Sequence, residues 1–403
     1  MSELLLNGIF LKKLFQWPYC KRRCPYCNYN KYICKEVDEE RMKKCLIQEL
    51  ETLVHKSCVE NITTLFFGGG TPSLASPNTI NSVIEKAKSV GNLTSSAEIT
   101  IEVNPTEIEA KKLKEFKDAG INRMSIGLQS LNLRDLIFLG RDHSVEDGLR
   151  CLSEARSLLP GQVSVDIMFG RPNQTMAQWV EELEQLLSVC DNHISLYQLT
   201  VERGTELYKQ VKSDKVLLPS NNEMANLYKC AVKLLEGRGF EHYEVSNYAK
   251  DACYSHHNLT YWTGGDYIGI GPGAHGRLTV KDNGKYIREA RTQTLEPYNW
   301  MYAVEKYGHG TTRSVKQGIY DRCVETLSSS LRTKWGISHP NWRKVNPIGL
   351  SKLFGSSDTI NLLQSSDLLI LDKRGLRATE KGLIVLDSLL VELVSVLHES
   401  LNK

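Results

Sequence analysis

Three thiols fall within eight residues in Cys20-Lys21-Arg22-Arg23-Cys24-Pro25-Tyr26-Cys27, a C-x3-C-x2-C run near the N-terminus. Spacing this close lets one loop present three thiolates to one face of a metal cluster, and cluster iron prefers soft thiolate ligands. The expectation is an iron-sulfur cluster on Cys20, Cys24 and Cys27. Three cysteines leave one iron open to a small molecule, whereas a structural zinc site is normally closed by a fourth His or Cys. Taken alone, the run is equally compatible with a zinc knuckle or incidental thiols.

Such a loop needs a scaffold. Residues 9–19 read as a short strand running into it, interrupted by Lys12 and Lys13 and ended by Pro18. Met42, Cys45, Leu46, Leu50 and Leu53 recur at helical spacing within 38–56, and Thr64 to Phe67 is a short buried strand that runs into Gly68, Gly69, Gly70, Thr71, Pro72 and Ser73. Helices at 77–90, 106–119, 131–139, 144–158 and 175–189 then alternate with strands at 98–103, 123–127, 163–169 and 193–199. This pattern indicates parallel βαβ units, five or six of which make a barrel or partial barrel. Polar residues gather where the strands end: the glycine run, Glu102 and Asn104, Gln129 and Ser130, Asp166, and Thr200 with Glu202. Ligand sites of parallel barrels form at the C-terminal strand ends, so these residues should converge on one mouth, which the cysteine loop enters.

A helix at 221–238 precedes a stretch rich in Gly, Tyr and His from Tyr243 to Gly276. Its glycines suggest close backbone approach to something bulky or a tightly folded extension of the sheet. From about 301 the chain is helical in character, and residues 368–387 read as a hairpin plus helix, like a winged-helix module. A chain of 403 residues with 41% hydrophobic content supports a large core, and a net charge of +3 from 50 basic and 47 acidic residues gives no global pull toward nucleic acid. Eleven cysteines, an odd number, read as reduced thiols and ligands; Cys34, Cys45, Cys58 and Cys323 read as small packing residues. No apolar stretch approaches the roughly 18 to 20 residues that span a bilayer, which leaves only peripheral membrane contact. Residues 1–13 make a poor organelle-targeting peptide.

The cysteine run, with Tyr26 before its last thiol and a glycine run after the next strand, resembles the signature of radical S-adenosylmethionine (SAM) enzymes. In that family the amino and carboxylate groups of SAM chelate the open iron, and one electron from the reduced cluster cleaves the sulfonium to methionine and a 5'-deoxyadenosyl radical. The resemblance covers nearly the whole chain from Trp17. The segments at 68–73, 102–105, 125–130, 139–143 and 195–205, and the strand holding Asp166, are similar to the coproporphyrinogen oxidase and HemW branch. It implies an α/β fold: a partial (β/α)6 radical SAM barrel with a small C-terminal helical, winged-helix-like domain. The division would be a core at 1–235, a Gly/aromatic extension at 236–300 and a HemN-type domain at 301–403. Carried over by position, Tyr26, Gly69, Gly70, Thr71, Glu102, Gln129, Arg141 and Asp166 would bind SAM, with the last four completing that pocket or a second one. Read without the resemblance, the glycines make an ordinary tight turn, and Arg141 with Asp166 a structural ion pair.

His257-Asn258-Leu259-Thr260-Tyr261-Trp262 divides the branch, because it resembles HemW heme chaperones and is not expected in the oxidases. Imidazole is a common axial heme ligand, so His257 is the candidate heme ligand. The plain alternative is a histidine that caps or packs, and His256 with Cys253 also permits a small metal site. The resemblance implies a heme-binding protein that passes heme to an acceptor haemoprotein such as a respiratory-chain component, and an electron donor for the cluster. Two alternatives stand beside it: an oxygen-independent coproporphyrinogen III oxidase, and a binding module that the cluster merely stabilises. Several segments are similar to animal mitochondrial members, implying the mitochondrion, with the cytoplasm as the alternative. Only 19 residues precede the triad, leaving little room for a substrate-covering segment. Leu14 and Gln16 replace a Tyr that touches SAM and a His usual in the family, for which an altered or truncated N-terminus is the simplest account. Arg171 replaces a usual apolar residue, and its guanidinium near the mouth could equally pair with a carboxylate or stay solvated.

Overall fold

The computed structural model describes residues 10–34 and 36–401. Six strands pair in chain order, every pair parallel: β1 (Phe10–Trp17), β2 (Asn61–Gly69), β3 (Leu93–Val103), β4 (Arg123–Gln129), β5 (Val163–Phe169) and β6 (His193–Gln198). The helices α1 (Glu39–Lys56), α2 (Pro77–Gly91), α3 (Val145–Leu158), α4 (Met176–Val189) and α5 (Asn221–Gly237) cover the outer face. Each strand alternates its side chains between the two faces. On β2, Leu65 and Phe67 join the core beneath the helices, and Thr64 turns to the interior, where it meets His257. β1 forms despite the altered residues at 14 and 16: Leu14 pairs with Phe66 and Gln16 with Gly68.

The parallel run stays open. After α5 come β7 (Glu241–Glu244), β8 (Asn247–Ala249), α6 (His256–Trp262), β9 (Tyr267–Ile270), β10 (His275–Asp282), β11 (Lys285–Gln293), α7 (Pro297–Tyr307) and β12 (Thr311–Lys316). The twelve-stranded sheet runs β12-β11-β10-β9-β1-β2-β3-β4-β5-β6-β8-β7. β9 lies parallel to β1 and β8 antiparallel to β6, so both edges of the partial barrel are extended. The Gly/aromatic stretch is therefore largely sheet extension. The helix expected at 106–119 is two pieces, Glu107–Ala110 and Leu113–Asp118. The break lets Lys112 reach the carbonyls of Ser73, Leu74 and Ala75 at 3.1–3.3 Å.

The boundary expected at 301 moves. Trp300, Met301 and Val304 pack into the first core and β12 belongs to the large sheet, whereas a separate core begins at Cys323 and ends at Leu397. Helical periodicity at 297–307 does not reveal which core its apolar face joins. The second core carries a three-stranded sheet of Ile337–Ser338, Gly375–Ala378 and Leu369–Asp372, with the final helix Leu386–Leu401 packed on it.

Glu49 of α1 ties the extension to the barrel. Fully buried, it accepts N–H groups from Gly271 (2.8 Å) and Gly310 (2.7 Å) and the indole N–H of Trp300 (3.1 Å). Burial pushes its carboxyl up to about 7. Glu49→Leu would orphan three buried donors and should cost about 3 kcal/mol or more. Glu49→Gln, which keeps an acceptor oxygen, should cost less. Urea unfolding of both variants checks the order, and an equal loss would discount the hydrogen bonds.

Candidate functional site

The cysteine loop is anchored on several sides. Tyr19–Cys20 pairs in parallel with Tyr32–Ile33, and the Asn30 amide donates to the carbonyls of Pro272 (3.1 Å) and Leu295 (2.8 Å). Across the loop, the Pro25 carbonyl accepts the Leu207 N–H at 2.9 Å. The segment leaving β2 runs against this loop: Gly70 N–H donates to Trp17 (2.7 Å) and Thr71 N–H to Tyr19 (3.0 Å). Gly69 has φ +107°, and a Cβ on Gly70 would sit 2.8 Å from the Pro18 backbone, so only glycine suits both positions. The Thr71 hydroxyl donates to Cys20 Sγ at 3.2 Å. Burial pushes the Cys20 thiol up, and this hydrogen bond works against that shift.

A cavity of about 370 Å³ opens at the C-terminal strand ends. Its wall brings together Cys20, Cys24 and Cys27, Tyr26 beside them, Gly69, Gly70 and Thr71, and the four polar residues Glu102, Gln129, Arg141 and Asp166. Glu102 accepts the Gly69 N–H at 3.1 Å, and Asp166 accepts the Ser125 hydroxyl at 3.0 and 3.1 Å. Burial, reinforced by the charge of Asp166, pushes Glu102 up to about 8, and burial raises Asp166 to about 6. Arg141 makes no ion pair with Asp166 among the described residues. It donates to Asn104 Oδ1 (2.6 Å), to the Gly127 carbonyl (3.1 Å) and to Cys24 Sγ (3.8 Å), and its buried Nε has no partner.

Two residues of this wall escaped sequence reasoning. Glu109 is fully buried, neither of its oxygens accepts a hydrogen bond, and its nearest counter-charge is Lys21 at 3.7 Å. In sequence, Glu107-Ile108-Glu109-Ala110 reads as an ordinary exposed helix start, and no spacing rule marks one of its acids as buried. Lys21 and Glu109 together set a positive and a negative group beside Cys20.

His257 does not join them. It sits in α6 at 1% exposure, with Nδ1 2.9 Å from Thr64 Oγ1, Nε2 2.9 Å from the Tyr261 hydroxyl and the ring stacked on Phe66 at 4.6 Å. The start of α6 is held by Glu98, which accepts the N–H groups of His256 (3.0 Å) and His257 (2.8 Å). In this arrangement the expected heme ligand is a packed, hydrogen-bonded core histidine, because both ring nitrogens already have partners. Cys253, which precedes α6 in the chain, has its Sγ 3.8 Å from the Asp251 carbonyl.

Against known proteins, the family description "Radical SAM superfamily" matches residues 16–186 and "HemN C-terminal domain" matches 321–385. "Radical S-adenosyl methionine domain-containing protein 1, mitochondrial" of Danio rerio is 51% identical over 375 residues, covering 93% of this chain and 84% of the relative. The chain belongs to the radical SAM superfamily, in its HemW-type branch. "Heme chaperone HemW" of Escherichia coli (strain K12) is 35% identical over 285 residues, 70% of this chain and 74% of that protein. The solved structure of coproporphyrinogen III oxidase (HemN) from Escherichia coli superposes with a TM-score of 0.78 at 19% identity, covering 97% of this chain and 90% of that one, and so shares the fold. Membership brings a 4Fe-4S cluster and SAM. The cavity fits both groups. Three thiols of one loop line it, none of the eleven cysteines is in a disulfide, and the Arg141 Nε and Glu109 carboxylate in its wall have no hydrogen-bond partner.

Proposed function

We propose that the chain is a heme chaperone with a radical SAM core, which binds heme and passes it to haemoproteins such as respiratory-chain components in the mitochondrion. The observation that carries this reading is the similarity to proteins named heme chaperone HemW, together with the mitochondrial naming of its animal relatives. No helix of the described residues is long and apolar enough to cross a membrane. Cys20, Cys24 and Cys27 hold the cluster, which when bound supplies one electron to the sulfonium of SAM. Gly69 and Gly70 let the backbone approach SAM closely, and Thr71 orients the Cys20 thiol. Tyr26, Glu102, Gln129, Arg141 and Asp166 shape the remaining wall and exclude water from it.

In this reading His257 would be the residue that holds heme iron, and a ring nitrogen would first have to give up its hydrogen bond to Thr64 or to Tyr261. Heme titration should give a Soret band in the wild type that weakens in His257→Ala. An unchanged band and affinity would remove His257 as the ligand. The same substitution should lower the stability of the heme-free protein by about 3 kcal/mol, the cost of a cavity and two orphaned hydroxyls. Conversion of coproporphyrinogen by the reconstituted protein would overturn the chaperone reading.

A further inference from the structure

Gln129 ends β4 with a left-handed backbone, φ +66°, and lines the cavity. That conformation costs a non-glycine residue on the order of 1 kcal/mol and persists only when its surroundings enforce it. The residues that follow provide the enforcement. Ser130 is fully buried, and its hydroxyl donates to Glu182 Oε1 of α4 at 2.7 Å; the same oxygen accepts the Leu131 N–H at 2.7 Å. Glu182 is in turn gripped by Arg171, from the turn after β5, through Nη1 to Oε1 at 3.0 Å and a second bond from Nη2 to Oε2. Arg171 Nη1 also meets Asp135 at 3.0 Å, on the short helix Leu133–Phe138, and donates to the Ser130 hydroxyl. The guanidinium lies 6.0 Å over the Trp179 ring, with Arg171 1% and Glu182 7% exposed. Three separate segments therefore meet on one buried, two-pronged ion pair directly behind the turn.

A buried ion pair is a poor source of net stability, since desolvation offsets most of the attraction. Its bidentate geometry does fix orientation, which a pair of apolar residues would not. Neither Arg171, Glu182 nor Ser130 lines the SAM cavity, so any effect on it must pass through the turn. We propose that Arg171 and Glu182 are positioning residues for SAM: their clamp on Ser130 and Leu131 holds Gln129 in its left-handed conformation with its side chain at the cavity wall. This inference rests on the reading of the cavity as the SAM site.

The test uses the full chain with its cluster reconstituted anaerobically, measuring SAM affinity, iron content and melting temperature together. Ser130→Ala, which removes one hydroxyl and should fold, is expected to weaken SAM about threefold, and the double variant Arg171→Leu/Glu182→Leu, which leaves no unpaired buried charge, about tenfold, with iron content unchanged. If the clamp acts through Gln129, adding Gln129→Ala to the double variant causes little further loss, so the effects are non-additive. Arg288→Leu, which disrupts the pairs of β11 with Asp266 and with Glu325 on the helix Ile319–Ser330, serves as a control that lowers stability without weakening SAM. Unchanged SAM affinity in the clamp variants, full additivity with Gln129→Ala, or an equal loss in Arg288→Leu overturns the proposal. Wild-type protein that carries a full cluster yet binds no SAM would instead overturn the reading of the cavity, and the clamp's role in it as well.

Discussion

Cys24→Ser leaves a folded chain that cannot retain its cluster, and Cys20→Ser and Cys27→Ser do the same. Serine is nearly isosteric, but its hydroxyl neither ionises near neutral pH nor offers the soft donor that cluster iron prefers. The fold should tolerate the change: the loop is held by Asn30, by pairing with Tyr32–Ile33 and by the Pro25 carbonyl, none of which involves a thiol. After anaerobic reconstitution, bound iron should fall from about four atoms per chain to below about one, with loss of SAM binding, while circular dichroism of the metal-free protein stays unchanged. Cys34 supplies the internal control. It is the next thiol in the chain, but it is exposed, with its Sγ donating to the Glu36 carbonyl at 2.7 Å. Cys34→Ser should keep full iron. Iron lost with Cys34→Ser would make it a fourth ligand, close the open iron and leave SAM nowhere to chelate. Iron retained with Cys24→Ser would sink the three-thiol site.

What the sequence revealed of this site was what is local or periodic. The thiol spacing, the glycine run and the apolar runs of the six parallel strands each follow from neighbours within a few residues, and strand-end polarity was enough to bring Glu102, Gln129 and Asp166 to one mouth. Properties that depend on distant partners were hidden. His257 looks like a metal ligand because its hydrogen-bond partner Thr64 is 193 residues away. The apolar face of α7 could not be assigned to a core because the Gln48 and Cys45 side chains it meets on α1 lie 256 residues earlier. Arg171 was visible as a cation near the mouth, yet neither its carboxylate partners nor their grip on the Gln129 turn could be read from spacing. Glu109 shows the limit most sharply: a charged residue at a helix start carries no mark of burial until the chain folds the cysteine loop over it.

The second large effect is a pH dependence set by the paired carboxyls. Glu102 is held up at about 8 by burial and then by Asp166, and Asp166 at about 6 mainly by burial, against 4.5 and 3.8 for the free groups. Both folded values exceed the unfolded ones, so the folded, cofactor-free protein binds these protons more tightly. Stability from this pair is therefore complete below about pH 4 and is lost as pH rises through 6 and then 8. Allowing for water in the open cavity, the loss should be on the order of 2 kcal/mol between pH 5 and 9. Glu102→Gln should remove most of it, leaving a variant more stable than wild type at pH 9. SAM reverses the preference. Its sulfonium is a fixed positive charge, which favours ionised carboxyls nearby, so SAM binding should release protons and its affinity should rise from pH 6 to 8 in the wild type. In Glu102→Gln, which keeps an acceptor oxygen for the Gly69 N–H but cannot ionise, that rise should flatten. Parallel pH profiles of wild type and Glu102→Gln, in melting temperature and in SAM affinity alike, would show that the pair is not the titrating element.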